Sequence, residues 1–205
     1  MEHYTVQKGD TLWDASDPQI DQLIKEELVR EDAGDLQGAI EVNKKILSFD
    51  PKDVRAMNAI AGLYGKLGKF EEEIAWAKKA IATDETFYLA YINYGNAQTY
   101  LHRVQEAREA FEKARRLAPR DPLPVYSLGV LAEEQHKLSE ATSFYEESVA
   151  LDPKFENGYF NLAAMYANAK RFDEAVAALH KVLELNPRST DAEAMLRQIE
   201  KERKR

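Results

Sequence analysis

YLAYINYGNAQTYLHRVQEAREAFEKARRLAPRD, residues 88–121, carries two apolar stripes of helical period, a break between them and a proline near the end. Tyr91, Tyr94 and Ala97 share one face of the first stretch; Ala107, Ala110, Phe111, Ala114 and Leu117 share one face of the second. The segment reads as helix, turn, helix, with Pro119 stopping the second helix. The same frame recurs along the chain. Pro51, Pro119, Pro153 and Pro187 stand 68, 34 and 34 residues apart, which makes the unit 34 residues long. With proline in the thirty-second place the units are 20–53, 54–87, 88–121, 122–155 and 156–189, and only the second departs, with Glu85 there.

Other columns of this layout follow packing needs. The eighth place reads Glu27, Ala61, Gly95, Gly129, Ala163 and the twentieth Ala39, Glu73, Ala107, Ala141, Ala175. Small residues are required where two helices cross closely, so Glu27 and Glu73 are exceptions. The seventeenth place is always apolar (Leu36, Phe70, Val104, Leu138, Phe172). The fifteenth is Gly34, Gly68, His102, His136, Lys170, a turn position where glycine supplies a left-handed stop and a cation suits the negative end of a helix dipole.

Taken together, these columns closely resemble the tetratricopeptide repeat, with large residues early, a small residue in the first helix, Ala and Phe or Tyr in the second, and a final Pro. The resemblance covers residues 20–189 and implies an all-α fold, a right-handed α-solenoid of helix-turn-helix repeats with about eleven helices. The first unit fits least well, because Glu26, Glu27 and Arg30 fall where apolar or small residues belong; polar residues suit a terminal unit with no outer neighbour. Residues 190–205, TDAEAMLRQIEKERKR, place Ala192, Met195, Leu196 and Ile199 on one helix face and read as a C-terminal capping helix.

With 205 residues, 44% hydrophobic and 31% charged, the chain has ample material for a continuous core. No stretch approaches the roughly 20 apolar residues of a membrane span. The opening MEHYTVQKGD has neither a basic nor an apolar leader segment, so a cytoplasmic protein is expected, and a periplasmic one if a precursor carries a signal peptide upstream of Met1. The lack of cysteine suits either compartment. A net charge of −8 argues against nucleic acid as partner. The basic run Lys201–Arg205 reads as a favourable helix C-terminus.

Nothing in the sequence supports catalysis. In GLYGKLGKF the Gly-Lys pair precedes Phe70 instead of Ser or Thr, and the spacing is one residue too long for a phosphate loop. His102 and His136 hold equivalent turn places in neighbouring units, about a helix pair apart and too far for one metal. No nucleophile, base and orienter form a recognisable set, so no enzyme activity, metal or cofactor is expected.

The resemblance implies that the first helix of each unit lines a concave groove through its second, fifth, sixth, ninth, twelfth and thirteenth places. The candidate peptide-binding residues are Asn58, Asn93, Asn96, Tyr100, Tyr126, Asn157, Phe160 and Asn161, with Ile92 and Ser127 among the other groove places. An asparagine amide both donates to a backbone carbonyl and accepts from a backbone N–H, so a row of them holds an extended peptide whatever its side chains. Tyr100, Tyr126 and Phe160 would supply apolar pockets. The competing explanation is that Asn at the sixth and ninth places is common across tetratricopeptide repeats whether or not a peptide binds. The carboxylate clamp by which some repeat domains grip chaperone tails needs cations that neither register supplies: Ile92, Asn96, Ser127, Asn157 and Asn161 in one, Asn58, Gly62, Asn93, Leu123 and Ser127 in the other. A chaperone partner is therefore not expected.

Residues 1–19 differ in character. HYTVQKGDTLWDAS, residues 3–16, resembles the opening of the glycan-binding LysM domain, but the second helix and closing strand have no counterpart before the first unit. Its simpler role is an arm, with Tyr4 and Val6 strand-like and Leu12 and Trp13 covering the exposed end of the first unit. Two function classes follow. One is a scaffold or adaptor binding a peptide or partner protein in the groove; the other is a bacterial cell-envelope protein whose N-terminal segment relates to peptidoglycan. Trp76 and Phe144, both at the twenty-third place, are expected either to pack on a neighbouring unit or to form a self-association surface.

Overall fold

A computed structural model describes residues 18–203, which form eleven α-helices and no strand; the LysM-like stretch 3–16 and the last two residues of the basic run lie outside the described residues. Five helix pairs follow one another: α1 (Pro18–Asp32) with α2 (Leu36–Phe49), α3 (Val54–Lys66) with α4 (Phe70–Thr83), α5 (Tyr88–Tyr100) with α6 (Val104–Leu117), α7 (Pro122–Glu134) with α8 (Leu138–Leu151), and α9 (Glu156–Asn168) with α10 (Phe172–Leu185). A single helix, α11 (Thr190–Arg203), closes the stack. Each helix packs on its neighbours in the chain, and the first helices also touch across units, α3 on α5 and α5 on α7. That extra contact puts the first helices on the tighter, inner side of the curve.

The turn inside each pair is built one way five times. Gly34, Gly68, His102, His136 and Lys170 all have positive φ, at 75, 70, 56, 58 and 58°. In the third unit His102 N–H donates to the Thr99 carbonyl at 2.9 Å and Arg103 N–H to the Gln98 carbonyl at 2.8 Å, which satisfies two carbonyls left over at the end of α5. The backbone, more than helix-dipole charge, defines this place, and three non-glycine residues adopt a conformation that glycine would adopt with less strain. The residue after it caps the second helix. Only Asp35 does so with its side chain, accepting from Gly38 N–H at 2.9 Å, whereas Lys69, Arg103, Lys137 and Arg171 make no such bond.

Within a pair, the eighth place packs against the twenty-fourth, and their sizes compensate. A Cβ at Gly95 would collide with the Phe111 ring, and one at Gly129 would stand 2.6 Å from the Tyr145 ring; both rings are buried. Where the eighth place is Ala61 or Ala163, the twenty-fourth is Ala77 or Leu179. The first unit replaces this pair with Glu27 and Asn43. Burial raises the Glu27 carboxyl, while hydrogen bonding to Asn43 and the charge of Lys66 oppose the rise.

Between units, Trp76 lies partly buried against two clusters, one around Ile40, Ile60 and Leu63 and one around Met57, Ala80 and Ala90. Phe144 lies similarly between the clusters of Phe111 and Tyr145. Both rings therefore fill seams between units. The outer surface is laced across units by Arg108 to Glu140 at 3.0 Å and Arg115 to Glu147 at 2.6 Å.

Candidate functional site

The inner layer of first helices carries all eight sequence-derived site residues, but it uses several of them internally. Asn93 on α5 donates through Nδ2 to Asn58 on α3, at 2.8 Å to Oδ1 and 3.1 Å to the backbone carbonyl. Asn161 on α9 donates to the Tyr126 hydroxyl on α7 at 3.1 Å. In both cases the sixth place of one unit ties to the fifth place of the unit before, so these amides fasten successive inner helices together. Asn96 is partly buried and has no side-chain hydrogen bond among the described residues. Asn157 and Phe160 sit on α9, with Phe160 packed against the core of the fifth unit.

The groove is narrower in composition than its column pattern implies. Ile92 and Ser127, at nominal groove places, are both buried, Ile92 within the core around Phe111 and Ser127 with its hydroxyl donating to the Leu123 carbonyl at 2.9 Å. Tyr126 is held edge-on by Phe155 at 5.2 Å and tilted against Tyr145 at 5.5 Å. Tyr145, fully buried, donates its hydroxyl to Glu133 Oε2 at 2.8 Å, which fixes the Glu133 carboxylate at the twelfth place. Burial and that neighbouring carboxylate push the Tyr145 phenol far above its ordinary range.

Tyr100 stands out among the candidates. Its ring stacks on Phe70 of the preceding unit, with centroids 4.5 Å apart and planes 9° apart, and 42% of the residue remains exposed. Its phenol is raised first by burial and then by the nearby charges of Glu73 and Glu134. Glu73 itself occupies the twentieth place, where every other unit has a fully buried alanine. It is 3% exposed, its Oε2 has no hydrogen-bond partner, and burial alone pushes the carboxyl up to about 8. The carboxyl fits because Gly65 faces it: a Cβ there would stand 2.6 to 2.9 Å from the carboxyl atoms.

Glu73, Phe70 and the Tyr145–Glu133 pair are what column reasoning missed as site features. The available signal was the coincidence of Glu for Ala at the twentieth place with Gly65 at the twelfth place of the same unit. Among the described residues no group of three or more His, Asp or Glu side chains could hold a metal, and no helix is long and apolar enough to cross a membrane.

Tetratricopeptide repeat family models match residues 54–87, 88–121 and 157–189. Comparison with curated protein sequences finds no significant match. Among solved structures, a thermophilic tetratricopeptide repeat protein of Thermus thermophilus superposes with a TM-score of 0.78 at 20% identity, covering 88% of this chain and 98% of that one. MamA is similar with a TM-score of 0.59 at 27% identity, covering 80% and 96%. YrrB, described as a tetratricopeptide repeat protein with an unusual peptide-binding site, is similar with a TM-score of 0.55 at 23% identity, covering 80% and 85%. The fold is thus a right-handed α-solenoid of the protein-interaction scaffold class. This chain is a tetratricopeptide repeat protein.

Proposed function

We propose that this scaffold holds an extended segment of a partner protein along the inner layer of α3, α5, α7 and α9, with contacts centred on Asn96 and Tyr100. The supporting observation is the state of these two side chains. Asn96 keeps a partly buried amide without a hydrogen bond inside the described fold, and Tyr100 exposes 42% of its surface beside it on α5. An amide that can both donate and accept pairs a peptide backbone, and an exposed ring braced from behind by Phe70 receives a side chain. Asn58, Asn93, Tyr126 and Asn161 serve this site mainly as its framework, because their mutual hydrogen bonds set the spacing of the inner helices. Asn157 and Phe160 extend the surface toward the C-terminal end. YrrB, similar in fold, is described as having a peptide-binding site, which agrees with this use of the architecture.

The test is selection of random dodecapeptides displayed on phage against the full-length chain, followed by titration of the best peptide into variants. Asn96→Ala should weaken binding by about 1 to 3 kcal/mol whatever the peptide sequence, because a peptide group is left unpaired. Affinity unchanged in both Asn96→Ala and Tyr100→Leu would place the ligand elsewhere on the molecule.

A further inference from the structure

Eight glycines lie among the described residues, and the fold accounts for seven of them. Gly34 and Gly68 have positive φ, and a Cβ at Gly38, Gly65, Gly95, Gly129 or Gly158 would collide with a neighbouring side chain. Gly62 has neither reason. It stands in the interior of α3, outside the left-handed region, where glycine weakens a helix relative to alanine. A Cβ there would meet only Asn93 of α5, 3.7 Å from Nδ2 and 4.0 Å from Oδ1, which is ordinary van der Waals contact. Packing therefore admits alanine at Gly62. The missing side chain leaves space at a groove place that is itself partly exposed.

The borders of that space are set by the stacking of the inner helices. On the α5 side lies the Asn93 carboxamide, held by its bonds to Asn58. Asn58 and Asn93 are 35 residues apart, as are Tyr126 and Asn161, and Lys66 of α3 bonds Glu31 of α1 at the same offset. At that offset Gly62 stands opposite Glu27, whose carboxyl turns to Asn43 of α2. The next residue of α1 is Leu28, at the ninth place like Gly62 and 44% exposed. The cations alongside are engaged locally, Lys66 with Glu31 and Arg55 at 3.8 Å from Asp53. A charged occupant would lose water here and gain no counter-charge. We propose that Gly62 is the seat of an apolar anchor, a leucine-, methionine- or phenylalanine-sized side chain of the partner segment that lies on the α3 backbone between Leu28 and Asn93. This rests on the groove being the ligand surface. The seat supplies what the Asn96 amide does not, because covering Leu28 and the anchor together removes apolar surface from water, and a glycine lets the anchor approach the helix backbone.

The experiment titrates the best dodecapeptide from display on the full-length chain, and its single-alanine variants, into wild type, Gly62→Ala and Gly62→Leu. One apolar residue of the peptide should lose about tenfold in affinity as alanine. Gly62→Ala should weaken the parent peptide several-fold and Gly62→Leu about tenfold or more, while the peptide lacking the anchor binds wild type and Gly62→Leu nearly alike. Thermal unfolding separates recognition from folding: Gly62→Ala should melt at or above the wild type, because the Cβ has space and alanine favours the helix. Three results would overturn the seat and leave the groove reading standing. They are a Gly62→Ala protein that melts below the wild type, a peptide that weakens in Asn96→Ala but binds Gly62→Leu unchanged, and a loss in Gly62→Leu that couples to no apolar residue. Peptides indifferent to Asn96→Ala, Tyr100→Leu and Gly62→Leu, or no enrichment at all, would overturn both.

Discussion

Replacing Glu73 with alanine should make this protein more stable at neutral pH and less stable in mild acid. Glu73 is 3% exposed, its Oε2 is unpaired, and burial lifts its carboxyl from an ordinary value of 4.5 to about 8. From α3 it faces Gly65, beside Lys66 that Glu31 already engages, and Tyr100 of α5, whose phenol its charge raises, carries no positive charge to offset it. A carboxyl raised in the folded state contributes its full stability below about pH 4.5 and loses it as pH rises through about 8. The linked loss is about 3 kcal/mol by pH 7 and approaches about 5 kcal/mol above pH 9. Alanine removes that loss together with one buried methylene, the γ carbon, worth about 0.8 kcal/mol. Glu73→Ala should therefore gain about 2 kcal/mol at pH 7, raise Tm by about 4 to 8 °C, and fall below the wild type under about pH 5. Thermal unfolding of both proteins followed by far-UV circular dichroism at pH 5, 7 and 8.5 makes the comparison, with Glu73→Gln as the shape-preserving control. A difference between wild type and Glu73→Ala that stays constant across that range would mean that the carboxyl is not held protonated, and the buried, unpaired description of it would be wrong.

The turn geometry predicts that His136→Gly, at φ 58°, relieves a left-handed strain and raises stability by about 0.5 to 1 kcal/mol, whereas Gly68→Ala, at φ 70°, lowers it by about 1 kcal/mol; chemical denaturation curves measure both. Lys137 begins α8 without a side-chain cap, so Lys137→Asp should add about 1 kcal/mol, read from the same curves. Gly95→Ala should cost about 1 to 3 kcal/mol through collision with Phe111, and Phe111→Leu should cost less in that background than in the wild type, a coupling that a double-mutant cycle resolves.

Much of the architecture is local information repeated. The proline spacing, the apolar seventeenth place and the fifteenth place all act within a few residues of themselves, stopping a helix, starting one or turning the chain, so reading along the sequence recovers helix pairs and their order. The compensation of Gly95 with Phe111 and of Gly129 with Tyr145 is also visible in the columns once the period is known, because both members lie in one unit.

Contacts between units are another matter. Asn93 and Asn161 look free to hold a ligand until Asn58 and Tyr126, 35 residues earlier, are seen accepting from them. Ile92 and Ser127 occupy groove places by count, yet both are buried, Ile92 in a core that joins its own unit's Phe111 to Leu128 and Leu131 of the next. Glu73 appears in the columns as a mere exception; its burial depends on Gly65, on the facing helix of the pair. Periodicity is a property of one chain segment, whereas burial and pairing depend on what the facing helix presents, and that is known only when successive units are stacked.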